Sequence, residues 1–241
     1  MQEPVRLLWT GGWDSTFRLL QLLLVEQRDV QPIYVIDHSR AGRWLEMESM
    51  DGIQEALAAR IPSGVTLYPR QLFVRHDFPD IPELKARYDA LKERTRVGSQ
   101  YYWLAVIAEQ RGLQGAELCM PKHEMPSGLQ EAVFENVDSD YPKVRDTWEA
   151  QLFAYWTFPS ITWTKLDMRA FSIRNEFMDI LRMRWFCFTP VNGKACGECR
   201  PCRIAQEDGV VDGIEFASSR ELNIRKFSRK FRGKIRKVFR R

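Results

Sequence analysis

No apolar run in this sequence approaches the ~18 residues that span a bilayer, and Met1 to Arg6 lack the basic-then-apolar order of a secretory leader. Membrane-spanning and secreted classes are therefore not expected. There is no internal repeat, and no low-complexity stretch except a basic tail, so a fibrous or wholly disordered chain is not expected either. Histidine is scarce. His38, His76 and His123 are the only three, and none stands in a metal-ligand spacing. His38 follows Asp37 at a predicted strand end, where it would face a nucleotide; His76 and His123 are expected at the surface. Cysteine is equally sparse. The five cysteines are odd in number, and four fall between Cys187 and Cys202, which is a poor basis for a disulfide framework. A cytoplasmic setting is expected, with the clustered thiols on metal or in redox chemistry.

What is present is ordinary globular composition, 44% hydrophobic and 28% charged over 241 residues, enough for one substantial core with a small appendage. The formal charge of +4 is unevenly spread. Residues 225–241 hold ten Lys or Arg and no acid, which leaves 26 basic against 32 acidic side chains, net −6, on residues 1–224. The whole-chain charge describes neither part.

Hydrophobic patterning predicts alternating elements. Val5 to Trp9 reads as a buried strand stopped by Thr10-Gly11-Gly12, followed by a helix over Asp14 to Val25. Gln31 to Ile36 reads as a second strand, Ser49 to Arg60 as a helix, and Val65 to Val74 as extended. Arg96 to Arg111 reads as a long buried helix, and Ala116 to Met120 as another strand. Gly128 to Tyr141 reads as an irregular loop, Ser160 to Thr164 as a strand, and Asp167 to Arg182 as a helix. This alternation predicts an α/β fold with a parallel sheet.

The segment Thr10-Gly11-Gly12-Trp13-Asp14-Ser15-Thr16 sits between strand and helix. Two glycines permit a sharp turn that presents bare N–H groups, and the helix N-terminus behind them suits a phosphate. Ser15 and Thr16 can donate hydroxyls, and Asp14 can cap the helix or hold Mg²⁺. It is neither a P-loop, which needs Gly-Lys-Ser/Thr, nor a dinucleotide fingerprint. An N-cap after a Gly-Gly turn stands as the plain alternative.

The second motif is Cys187, Cys196, Cys199 and Cys202, spaced by nine, three and three residues. Two short Cys-x2-Cys hooks supply adjacent thiolates for tetrahedral zinc, and four protein ligands leave no open position, so the site is expected to be structural. Arg200 and Arg203 would offset its negative charge. Cys119 lies apart in an apolar strand and is expected in the core.

The glycine turn resembles the Ser-Gly-Gly-x-Asp-Ser pyrophosphate loop of the PP-loop (N-type) ATP pyrophosphatases, with Thr10 in place of the serine. Taken with the cysteine array, residues 5 to 204 resemble one branch, the 7-cyano-7-deazaguanine synthase (QueC) family. Asp37, Arg40 or Arg43, and Glu46 are similar to that family's Asp-Tyr-Gly-Gln-Arg-His…Glu segment. Val97-Gly98-Ser99-Gln100 is similar to Val-Pro-Gly-Arg-Asn, with Ser99 at the arginine and Arg96 nearby. Ser127-Gly128 and Tyr141-Pro142-x-x-Arg145 resemble a Ser-Gly-Tyr-Pro-x-x-Arg run split by twelve residues, Leu129 to Asp140. Glu124 is a displaced candidate for the acid before Ser-Gly, and Pro159 with Lys165 matches a Pro…Lys pair.

The resemblance implies a Rossmann-like fold of the adenine-nucleotide alpha-hydrolase type: a PP-loop domain over residues 1–184, a four-cysteine zinc-binding segment over 185–210, and an extension over 211–241. It implies ATP, Mg²⁺ and structural Zn²⁺. The activity implied is a ligase that adenylates 7-carboxy-7-deazaguanine and converts it with ammonia to the nitrile, releasing AMP and pyrophosphate. Thr10, Gly11, Gly12, Asp14, Ser15, Thr16, Asp37 and Arg43 would bind ATP, with Asp14, Ser15 and Lys165 catalytic. Ser127, Gly128, Tyr141 and Arg145 would meet the deazapurine acid. A related enzyme acting on another acid, or conjugating a deazapurine to protein or nucleic acid, and a non-catalytic nucleotide- or nucleic-acid-binding module stay open. The tail is left unexplained. Phe227, Phe231, Ile235 and Val238 or Phe239 form a basic amphipathic stripe. It would pack on the acidic body or a dimer mate, bind nucleic acid or anionic lipid, or dock a partner protein.

Overall fold

The computed structural model describes residues 3–122, 128–136, 139, 142–225 and 227. Its centre is a five-stranded, all-parallel sheet in the order β3-β2-β1-β4-β7. The strands are β1 (Val5–Leu8), β2 (Val30–Ile36), β3 (Gln71–Val74), β4 (Ala116–Glu117) and β7 (Trp156–Thr157). Alternation along β1 explains why both faces are covered. Leu7 and Trp9 enter one apolar cluster and Leu8 enters the other, just as Tyr34 parts from Ile33 and Val35 on β2.

Helices α1 (Trp13–Leu20), α2 (Arg43–Ala58), α6 (Lys165–Arg174) and α7 (Met178–Leu181) contribute to the cluster around Trp9. Helices α3 (Pro82–Arg94), α4 (Ser99–Arg111) and α5 (Leu129–Val133) contribute to the other. A third, small cluster surrounds the cysteines and the start of α8 (Arg200–Glu207). No helix among the described residues is long and apolar enough to cross a membrane.

The parallel α/β expectation holds. Several boundaries differ, each for a physical reason. The helix expected from Asp14 ends in a π turn, Gln21–Val25, where Glu26 N–H reaches the Gln21 carbonyl at 2.9 Å. Helix α2 begins six residues before Ser49, because its start is fixed by a tertiary contact at Gly42. Helix α3 was not expected, although Pro82 opens it and Leu84, Tyr88 and Leu91 bury one stripe.

Ser160 to Thr164 is not a strand. It is a pair of turns ending in Thr164, which caps α6 with Asp167 in a reciprocal capping box. The last sheet strand is Trp156–Thr157 instead. The helix expected over Asp167 to Arg182 breaks after Arg174, where Glu176 adopts φ +57°. Within Gly128 to Tyr141, expected to be irregular, α5 leads into β5 (Phe134–Glu135), which pairs antiparallel with β6 (Lys143–Val144).

Among the described glycines, Gly42 sits tightest against another segment. A Cβ there would sit 2.2 Å from the Cys187 carbonyl oxygen. Gly42→Ala is therefore expected to force the cysteine segment off α2, at a cost of about 2 kcal/mol or more. Thermal unfolding should report this as a Tm loss of roughly 2–4 °C per kcal/mol for a chain this size. An unchanged Tm would show that the segment is not held there.

Candidate functional site

Strand β1 is central. The chain leaves it toward β2 and β3 on one side, and β4 and β7 lie on the other. Loops after β1 and β4 therefore diverge, opening the crevice at which ligands bind in open α/β sheets. A cleft of ≈ 800 Å³ lies there. Its wall includes Thr10 to Ser15 except Gly11, Asp37 after β2, Arg75 after β3, and Leu118 to Pro121 after β4.

The glycine turn is built for rigidity. Gly11 has φ +68°, and a Cβ on it would meet Met50 Cγ at 3.0 Å and the Glu46 carbonyl at 3.2 Å. Ser15 Oγ accepts from Thr10 N–H at 3.2 Å and lies 3.3 Å from Thr10 Oγ1. Gly12 is the N-cap of α1, with no side-chain cap taking the helix's first N–H groups. Gly12, Trp13, Asp14 and Ser15 line the cleft, so the start of α1 forms part of its wall. Thr16 does not line the cleft. It is fully buried, and its Oγ1 accepts the Trp9 indole N–H at 3.0 Å, so its hydroxyl holds β1 to α1.

Beside the turn stand two carboxylates with opposite tendencies. Asp37 accepts from Ser39 N–H at 2.9 Å and Ser39 Oγ at 2.7 Å, with Arg75 3.4 Å away. Burial opposes its charge, but the Ser39 bonds and then Arg75 and Arg40 outweigh it and hold its pKa below the usual value. Glu46 is driven the other way by burial, despite Arg40 at 3.7 Å and the Tyr34 hydroxyl donating at 2.7 Å. Of the two arginines expected near Asp37, Arg40 lines the cleft. Arg43 does not: it donates to the Arg40 carbonyl at 3.0 Å and stacks on Trp44.

Ser99 lines the cleft and so does Arg96, so a guanidinium reaches this region from three residues earlier. Lys165, at the first turn of α6, also lines it and pairs with Asp208 at 3.2 Å. Gly128 caps α5, and Arg145 Nε donates to the Glu131 carbonyl of that helix at 2.8 Å; neither lines the cleft. Ser127, Tyr141, His123 and Glu124 lie outside the described residues. His38 and His76 are exposed, with ring centroids 6.3 Å apart. Cys119 is half-buried in the cleft wall rather than sealed in the core. Burial pushes its thiol up to about 12, so it stays protonated at neutral pH.

The four clustered cysteines converge. Their sulfurs all lie within 4.8 Å of one another, with Cys199 3.4 Å from Cys202 and 3.9 Å from Cys187, and Cys196 3.9 Å from Cys202. Zn–S bonds of about 2.3 Å in a tetrahedron give S···S edges of about 3.8 Å, so the donor set fits a structural zinc. Backbone N–H groups of Cys196 and Cys199 donate to Cys187 Sγ and Cys196 Sγ at 3.2 and 3.3 Å, which favours thiolates.

This unit is also a wall of the cleft. Trp185, Phe186, Phe188, Thr189 and Arg200 all line it, and Trp185 N–H donates to the Gly11 carbonyl at 2.8 Å. Behind the turn, Arg184 is fully buried with its guanidinium 4.6 Å from the Trp13 ring centroid. It donates to the Val210, Asp212 and Arg182 carbonyls. Burial lowers its pKa to about 10, so it remains a cation at neutral pH. Arg75, Arg184 and the aromatic segment 185–188 were not anticipated from sequence. They carry no local motif, and only the fold brings them to the turn.

Two measurements probe this geometry. Cys196→Ser is expected to lose bound zinc, seen by elemental analysis, and to lower Tm by about 10 °C or more. For Glu46 the sign follows from burial: the folded chain binds its proton more tightly than the unfolded chain. Stability therefore falls as pH rises from the ordinary glutamate value of 4.5 through the raised folded value. Relative to the native chain, Glu46→Gln should gain in Tm as pH rises above the ordinary glutamate value of 4.5. A pH-independent difference would refute the assignment.

Compared with known proteins, the chain matches no family model and no curated protein.

Proposed function

We propose that the cleft binds ATP with its pyrophosphate on the Thr10–Ser15 turn, and that it activates a carboxylic acid as an acyl-adenylate. The observation that carries this is the uncapped, glycine-formed start of α1 at the switch point of a parallel sheet, with Ser15 and Asp14 facing the same cleft. Asp14 would hold Mg²⁺, which supplies charge neutralisation on the phosphates. Lys165 would steady phosphate charge from the opposite wall, its own position set by Asp208.

The acid proposed is 7-carboxy-7-deazaguanine. A carboxylate oxygen is a poor leaving group. Attack of the carboxylate on the α-phosphorus expels pyrophosphate and forms the adenylate; ammonia then displaces AMP to give the amide. A second ATP adenylates the amide oxygen with loss of pyrophosphate, and elimination of AMP leaves the nitrile. The chain's contribution is positioning and electrostatic stabilisation. In this reading residues 1–184 carry the ATP site, 185–210 close it around structural zinc, and 211–241 form an extension.

One observation favours a second reading, in which the activated acid is passed to a protein or nucleic acid. The cleft wall carries a part-exposed aromatic, Phe188, that a small acid and ammonia do not need.

Zinc-loaded protein given ATP, Mg²⁺, ammonia and 7-carboxy-7-deazaguanine should release AMP and pyrophosphate and form the nitrile. Ser15→Ala should lower pyrophosphate release about 100-fold with Tm little changed. Release without nitrile would favour the second reading. ATP binding with no release under any acid would leave a non-catalytic module and overturn the proposal.

A further inference from the structure

By resemblance, the acid is expected beside Ser127, Gly128, Tyr141 and Arg145. Gly128 and Arg145 do not line the cleft, so the carboxylate of an acid held in the cleft takes its partner from another element. The side formed by α4 offers one. Arg75, just after β3, lines the cleft, and its guanidinium lies 5.6 Å from the Trp103 ring centroid. Trp103 lines the cleft too, while packing against the apolar cluster to which α4 contributes. The indole is thus rooted in the core and part of its surface is left to the cleft.

Only one of the three Arg75 guanidinium nitrogens is committed. Nη1 meets Asp37 at 3.4 Å, whereas Nη2 and Nε make no hydrogen bond with a described residue. The side chain is 33% exposed, which leaves those two nitrogens open to a ligand. Strand β2 lies between β3 and β1, and Asp37 follows β2. The ion pair therefore leans the guanidinium across β2 toward the glycine turn. Arg96, three residues before α4, lines the cleft, is exposed, and forms no ion pair with a described carboxylate. By contrast Arg40 is mostly buried between Asp37 and Glu46, and Lys165 is paired with Asp208.

We infer that Trp103 and Arg75 form the subsite for the acid, and that the subsite selects a planar aromatic carboxylate. The ring lies against the indole, the two free nitrogens of Arg75 donate to the carboxylate oxygens, and Arg96 adds a second positive charge. A guanidinium fork matches the two oxygens of a carboxylate, and an indole face favours a flat π system over a saturated one. Neither half of ATP needs this combination. Adenine carries no charge for a guanidinium to meet, and a polyphosphate has no use for a tryptophan. An aromatic carboxylate uses both. Because Arg75 leans toward the turn, the carboxylate it holds faces the proposed phosphate site. The inference rests on the proposed function for there being an acid to activate, but binding is measured without turnover.

The test is isothermal titration calorimetry of the full-length, zinc-loaded protein. The probes are 7-carboxy-7-deazaguanine, its uncharged 7-carboxamide, indole-3-carboxylate, cyclohexanecarboxylate and MgATP, the acids being titrated with and without α,β-methylene-ATP. At least one planar acid should bind, at least about 10-fold tighter than the carboxamide and the saturated acid. Arg75→Met should weaken that acid about 10- to 100-fold, and MgATP by less. Trp103→Leu should weaken it about 10-fold, and Trp103→Phe, which keeps a ring, by less. Tm and zinc content check the fold; if Trp103→Leu fails to fold, Arg75→Met on its part-exposed side chain decides. No binding of any planar acid would overturn the inference. So would acid affinity unmoved by Arg75→Met, or MgATP weakened as much as the acid. Acid binding with these sensitivities but no pyrophosphate release in the assay above would sustain the subsite and overturn the proposed reaction alone.

Discussion

Everything at the cleft depends on how the segment 185–188 docks onto the starts of two helices. Trp185 N–H donates to the Gly11 carbonyl at 2.8 Å, and two residues later the Cys187 carbonyl fills the space that a side chain on Gly42 would occupy. The first contact braces the turn that opens α1. The second fixes the start of α2, which is why that helix begins well before its amphipathic pattern does. Both glycines are needed, Gly11 for its left-handed backbone and Gly42 for close approach. A helix start with no side-chain cap is costly unless its backbone donors meet water or ligand. Here Gly12, Asp14 and Ser15 line the cleft, so the helix start stands where a ligand would meet it.

The cleft separates its charges by environment. Asp37 keeps its charge because Ser39 and two arginines surround it. Glu46, only nine residues on, loses solvent and is pushed toward its neutral form. The cationic groups come from separate elements: Arg40 before α2, Arg75 after β3, Arg96 before α4 and Lys165 on α6. A body whose net charge is negative thus concentrates positive charge at one crevice, as a polyphosphate ligand requires.

The parallel sheet, the glycine turn and the cysteine quartet were legible because each is a local pattern with a stated mechanism: apolar runs ending at Gly-Gly, and Cys-x2-Cys hooks. Helix α3 was legible in principle, through Pro82 and the stripe Leu84, Tyr88 and Leu91, but its strongly charged surface hid it. The choice between Arg40 and Arg43 was not legible, since the two differ only in which way the chain turns before α2. Trp156–Thr157 and Ser160–Thr164 compete as strands on composition. Thr164 is decided by Asp167, whose reciprocal bonds make it a helix cap. Arg75, Arg184 and the wall at 185–188 are products of tertiary assembly, which no window of sequence contains.

The metal site and the cleft are physically one construction. Four thiolates within 4.8 Å of one another repel unless a cation neutralises them. Without metal, the loops between Cys187 and Cys202 have little apolar surface to hold them, the cluster there being only a few residues. The same segment supplies Trp185, Phe186 and Phe188 to the cleft and the brace on Gly11. A structural metal here therefore does more than stabilise a peripheral knuckle. It sets the position of a cleft wall and, through one backbone hydrogen bond, the shape of the turn proposed to hold pyrophosphate.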